Sequence, residues 1–95
     1  MVIRNYLQRN VKNMVKVNFE DKYREKFSKI KDNNLKEKII KQLEKIKNNP
    51  EIGKPMMYDR KGTRELYVAP FRLSYAFIKH EDRVIILDLY HKDEQ

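Results

Sequence analysis

The sequence has no cysteine and no tryptophan, and only two glycines and three prolines in 95 residues. Without cysteine it has no disulfide framework, no thiol nucleophile and no thiolate metal site. Gly53 and Gly62 stand alone, so neither a GxGxxG turn nor a Walker phosphate loop is present, and there is no GxSxG elbow. No apolar run approaches the roughly 18 residues that cross a bilayer. The N-terminus, MVIRNYLQRN, is basic but lacks the apolar core of a secretory signal. A cytoplasmic protein that avoids membranes is expected. Histidines number two, and no carboxylate cluster has metal-ligand spacing, so neither metal nor other cofactor is expected. Ser28 and Ser74 have no local pattern of triad partners.

Positive charge is abundant. Lys and Arg total 22 against 14 Asp and Glu, a net +8. The excess lies in residues 1–63, which carry 17 basic and 8 acidic side chains. A small basic domain favours polyanions, because each neutralised phosphate releases a counterion. A solvated lysine-rich helix face is the plainer explanation of the same charge.

At this length the chain holds one domain. Residues 1–13 stand apart as a basic, acid-free extension with helical apolar spacing, and residues 14–95 form the domain. Val15–Phe19 alternates like a short strand, with Asn18 placed to cap the helix after it. Phe19, Tyr23, Phe27 and Ile30 make a helical stripe over 20–31. Leu35, Ile39, Leu43 and Ile46 make a second one, ending before Asn49-Pro50. The polar turn Asp32-Asn33-Asn34 joins the two helices into a hairpin. Residues 50–63 then read as a basic loop. Beyond it the period falls to two, giving strands at Arg64–Ala69, Arg72–Lys79 and Arg83–Tyr90 joined by short turns, hence antiparallel. The expected fold is α+β in the order β-α-α-β-β-β, with the helical hairpin on one face of a small, mainly antiparallel sheet. Leu73, Tyr75 and Phe77 are assigned to the helix side, which leaves Arg72 on the open face.

The residues suited to phosphate chemistry are Arg64, Arg72, His91 and Lys92, with Lys54, Arg60 and Lys61 nearby in sequence. RNA carries its own nucleophile, the 2′-hydroxyl. A protein cleaves it by aligning that group, removing its proton, stabilising the phosphorane and protonating the leaving oxygen. Arginine fits the phosphorane with its fixed donor fork, and histidine fits proton transfer near neutrality. Arg72 has a plainer alternative, a surface ion pair with Glu65. His80 receives no role, and Tyr90 is the best base-stacking tyrosine.

The segments Asn49–Pro55, Arg64-Glu65-Leu66-Tyr67, Phe71-Arg72-Leu73-Ser74-Tyr75 and Ile85–Lys92 together resemble the RelE/ParE superfamily of toxins from type II toxin–antitoxin systems. The resemblance implies a RelB-like antitoxin partner in a hetero-oligomeric complex. Its RelE branch implies metal-independent cleavage of mRNA on the ribosome by 2′-hydroxyl attack. It places transition-state stabilisation on Arg72, a further basic contact on Arg64, and leaving-group protonation or phosphate contact on Lys92, with His91 as a histidine alternative. Leu66 and Met56 stand where relatives carry a lysine and a glutamate base, and the chain stops short of a C-terminal stacking tyrosine. The base is thus unassigned, and His91 is the candidate for proton transfer. Lys54, Arg60, Lys61 and Tyr90 are the expected RNA and ribosome contacts. Two other readings stand beside this one: a ParE-like inhibitor of DNA gyrase without nuclease chemistry, and a basic binding module without toxicity.

Overall fold

The apolar periods become elements at the expected places in the computed structural model, which describes residues 15–94. The basic extension 1–13 lies outside the described residues. Strand β1 spans Lys16–Phe19, helix α1 Asp21–Ser28 and helix α2 Asn33–Asn48. Then come β2 (Lys54–Pro55), β3 (Thr63–Val68), β4 (Phe71–Ile78) and β5 (Arg83–His91). One helical turn at Tyr58–Arg60 leads into β3, another at Lys79–Glu81 links β4 to β5, and a third, Lys92–Glu94, comes after β5. No helix among the described residues is long and apolar enough to cross a membrane.

Helix α2 starts where the Asp32 side chain accepts from the amides of Asn34 (2.9 Å) and Leu35 (3.3 Å), two donors the helix itself leaves unpaired. It ends at Asn48, before the constraint set by Pro50. The expected cap on α1 is corrected. Glu20 holds that position without a side-chain bond, while Asn18 sits in β1 and accepts from Arg83 at 2.7 Å. A partner 65 residues away wins over the local one.

The sheet runs β1-β5-β4-β3-β2, with β1 parallel to β5 and every other pair antiparallel. It has five strands because the basic loop also contributes β2, two residues paired with Arg64 and Glu65. Ala69-Pro70, joined by a cis peptide, makes the β3–β4 turn. Asp82 turns the chain into β5 with φ 49°. The core comprises Ile39 and Ile46 of α2, Tyr23 of α1 and the inward residues Val68, Leu73, Tyr75, Val84, Ile86 and Leu89. Phe19, at the end of β1, stacks on Tyr23 of α1 at a centroid distance of 5.5 Å, and Tyr23 on Phe27 at 5.8 Å. Burying each large aliphatic side chain contributes roughly 1.5–3 kcal/mol.

Tyr75 ties this core to the basic loop. Its fully buried hydroxyl donates to the Pro50 carbonyl at 2.7 Å and accepts from the Gly53 amide at 2.8 Å. Gly53 is required by that approach, since a Cβ there would lie 2.7 Å from the Tyr75 oxygen. Tyr75→Phe strands both backbone groups and is expected to cost about 1–3 kcal/mol, read as a lower denaturation midpoint at unchanged slope.

Candidate functional site

Strand pairing fixes which side chains share a face. In the rows across the sheet, Lys54, Glu65, Ser74 and Asp88 are in register, and beside them lie Tyr67, Arg72 and Tyr90. These residues alternate with the buried Leu73 and Tyr75, so they occupy the face away from the helical core. There a cleft of about 450 Å³ opens between Lys22 and Lys26 of α1 and the Arg60 turn, with Glu65, Ser74, Asp88 and Tyr90 in its lining.

Glu65 is the centre of this face. Among the described residues it is the buried charged side chain, 5% exposed. Its Oε2 accepts from the Tyr90 hydroxyl in a very short hydrogen bond and from Arg60 at 3.1 Å. Arg60 also donates to the Tyr90 oxygen at 2.8 Å, with its guanidinium 5.3 Å from that ring's centre. The other oxygen, Oε1, lies 3.8 Å from an Arg72 nitrogen, too far for a hydrogen bond, and is buried without a hydrogen-bond partner. Nε of Arg72 is likewise buried and unbonded. The Arg72 guanidinium stands 5.8 Å from the Tyr67 ring centre and keeps 37% of its side chain exposed. One carboxylate thus gathers two arginines and a phenol, and the plainer ion-pair alternative for Arg72 is present in the same geometry.

The predicted site residues divide between the two faces. Arg72, Arg60 and Tyr90 come together, and Lys54 shares their face by register. Arg64 does not join them. It pairs with the buried Tyr75, on the opposite face, and donates to the carbonyls of Glu51 (2.9 Å) and Gly53 (2.8 Å), bracing the loop. His91 also leaves the group: one residue beyond Tyr90, it pairs with Phe71 and meets that ring edge-on at 5.7 Å. The Asp93 amide donates to its Nδ1 at 3.2 Å. Strand alternation is the cause in both cases. Lys92 is exposed in the turn past β5, its amide bonded to the Pro70 carbonyl at 3.0 Å. Lys61 is exposed in the turn after Arg60. The residue that sequence reasoning undervalued is Glu65. The signal was the two-residue turn at Ala69-Pro70, which sets Tyr67 opposite Arg72 and so Glu65, not Arg64, on its face.

At the cleft edge Asp88 takes Lys26 at 2.9 Å, Lys22 at 3.4 Å and its own neighbour's amide, Leu89, at 2.7 Å. Burial works to raise its pKa, but the Lys26 hydrogen bond, the Leu89 amide and the two ammonium charges outweigh it and hold the carboxyl below its ordinary 3.8. A depressed folded-state value means stability that is complete above pH 3.8 and lost as pH falls through the folded pKa beneath it. Acid unfolding of Asp88→Asn is therefore expected to be less steep than that of the parent over that window, as measured by circular dichroism. Equal pH dependence contradicts the assignment.

The family described as the ParE toxin of type II toxin–antitoxin systems, parDE, matches residues 17–95. No relative of curated function matches the chain in sequence. Among solved structures, the RelBE2 toxin–antitoxin complex of Mycobacterium tuberculosis aligns with a TM-score of 0.72 at 21% identity, covering 83% of this chain and 92% of that one. A YoeB/ParE toxin from Agrobacterium tumefaciens gives 0.73 at 18% identity, covering 81% and 98%. The archaeal RelE–RelB complex of Pyrococcus horikoshii gives 0.68 at 10% identity, covering 86% and 99%. Likeness at such identities establishes the shared fold.

Proposed function

The chain belongs to the ParE toxin family of type II toxin–antitoxin systems, and on that premise we propose that it is a translation-blocking endoribonuclease that cuts mRNA on the ribosome. The observation that carries the reading is the carboxylate–diarginine–tyrosine cluster on the open sheet face. Bound phosphate draws Arg72 away from Glu65, its partner only at 3.8 Å, and uncovers Oε1 as the proton acceptor. The 2′-oxygen then attacks phosphorus, its proton passing to Glu65. Arg72 and Arg60 spread the phosphorane charge over their donor forks. The P–O5′ bond breaks, leaving a 2′,3′-cyclic phosphate, and the departing oxygen takes its proton from Lys92. Tyr67, 51% exposed, offers a ring face to a flanking base, and Lys54 adds charge; Tyr90, 8% exposed beneath Arg60, holds the cluster and does not take the base-stacking part expected of it. Arg64 serves by holding the loop, and His91 by packing at the strand end. The antitoxin is a RelB-like protein, as in the complexes of the mycobacterial and archaeal structures.

A gyrase-inhibiting reading is favoured by one observation: Glu65 already neutralises part of the charge of Arg60 and Arg72, as a purely structural network does. A cell-free translation system separates the two. Addition of the toxin is expected to stop synthesis and leave mRNA cut within the A-site codon, with gyrase supercoiling unaffected. Inhibited supercoiling with intact mRNA gives the gyrase reading instead.

A further inference from the structure

A second basic feature lies away from the open face, between α2 and the β3 edge. Lys38, Lys41 and Lys45 line a groove of about 320 Å³ together with Gln42, Tyr67 and Val68. The backbone positions of the three lysines are spaced about 4.5 and 6 Å along the helix axis, about 10 Å from first to last. All three lysines are exposed. Among the described residues no ion pair engages any of them, whereas Lys22 and Lys26 of α1 are both held by Asp88. No acidic side chain lines the groove. The groove wall is thus a row of positive charge without an ion-paired carboxylate, although Glu37 and Glu44 flank Lys41 on the helix outside the lining.

Two neighbours give the strip its chemistry. The side chain of Gln42 also lines the groove, its oxygen buried with no hydrogen-bond partner. Tyr67, 51% exposed, lines the groove while its ring also meets the Arg72 guanidinium. It is therefore the bridge at the sheet edge between the lysine row and the open face. A row of cations beside an exposed ring fits RNA, in which every backbone phosphate comes with a stackable base.

We propose that the groove formed by Lys38, Lys41, Gln42, Lys45 and Tyr67 is a docking strip for an RNA backbone that continues around the β3 edge toward Arg72. The choice of ligand rests on the RNA reading above, but the strip is a binding site, testable without cleavage. A fluorescein-labelled single-stranded RNA 12-mer is titrated with the free full-length chain over a series of KCl concentrations. Each single-strand phosphate contact contributes about 0.7 to the slope of log K against log salt. Lys38→Gln, Lys41→Gln and Lys45→Gln combined are expected to lower that slope by about 2. Lys29→Gln, Lys31→Gln and Lys47→Gln combined remove equal charge from exposed positions and are expected to leave it nearly unchanged. Tyr67→Leu weakens binding about fivefold or more at unchanged slope, through lost stacking. All substituted positions are exposed, and thermal melts confirm that the variants fold. Equal slope losses in the two triple variants overturn the proposal, as does competition by a glutamate 12-mer matching that of unlabelled RNA. Loss of cleavage on ribosomes with this binding pattern intact counts against the nuclease reading and not against the strip.

Discussion

Arg72→Ala is expected to lower ribosome-dependent mRNA cleavage by about two to three orders of magnitude, the usual loss when one preorganised donor to a transition-state charge is removed. The expectation rests on position. Arg72 lies on the open face with part of its side chain exposed, in register between Tyr67 and Tyr90, and its nearest carboxylate is beyond hydrogen-bond length. Arg72→Lys keeps the charge and loses the fork, so an intermediate rate is expected. Lys31→Ala, an exposed lysine between the helices, is the control and is expected to cleave as the parent does. Single-turnover rates from primer extension measure all three. Arg64→Ala separates bracing from chemistry. It removes the bonds to Glu51 and Gly53 and is expected to lower the melting temperature while slowing cleavage far less than Arg72→Ala.

Glu65→Gln carries the second large effect. Replacing a general base costs typically two to four orders of magnitude, and the acid limb of the pH–rate profile is expected to vanish with it. A structural role alone predicts a different pattern: lower stability, with the remaining activity keeping its pH dependence. The two are separable because the stability cost is modest. Breaking a fully buried ion pair costs about 3–5 kcal/mol, but Arg60 and Arg72 keep 46% and 37% of their side chains in water. A loss of roughly 1–3 kcal/mol, set by the stranded Tyr90 hydroxyl and Arg60 donors, is the expected figure. Denaturant unfolding of the variant measures it beside the pH profile. Glu65→Gln with parental cleavage removes Glu65 from the chemistry and leaves it a scaffold for the arginines.

Much of the fold was legible in local pattern. The stripes containing Ile39, Ile46 and Tyr23 gave both helices, and Asp32 stood where α2 begins. The alternation around Leu73 and Tyr75 put Arg72 on the open face, where it is found. Features that depend on distant partners were not legible. Asn18 looks like a cap until Arg83 is brought across the sheet to it. Strand β2 is two residues within a Pro- and Gly-containing loop and exists only because β3 offers it an edge. The site was half legible for a related reason. Arginine and histidine identities suggest phosphate chemistry, but adjacency in sequence hides the alternation that parts Arg64 from Glu65 and His91 from Tyr90. A register shift between Ser74 and Tyr75 further separates what lies opposite each half of β4. The family resemblance places a basic contact on Arg64 and leaving-group protonation on Lys92, with His91 as the candidate for proton transfer; the proposed mechanism keeps Lys92 and, following the pairing register, gives the parts of Arg64 and His91 to Arg60 and Glu65.

The central claim is that this open face uses the 2′-hydroxyl of a bound message as its nucleophile. The most direct measurement places a single 2′-deoxynucleotide in the A-site codon of a ribosome-bound mRNA, immediately 5′ of the scissile phosphate. The all-ribose message is expected to be cut to a 2′,3′-cyclic phosphate end, and the deoxy-substituted message to stay intact at that position. Cleavage of the deoxy-substituted message at the same bond, or a ribose message left whole while translation stops, contradicts the claim.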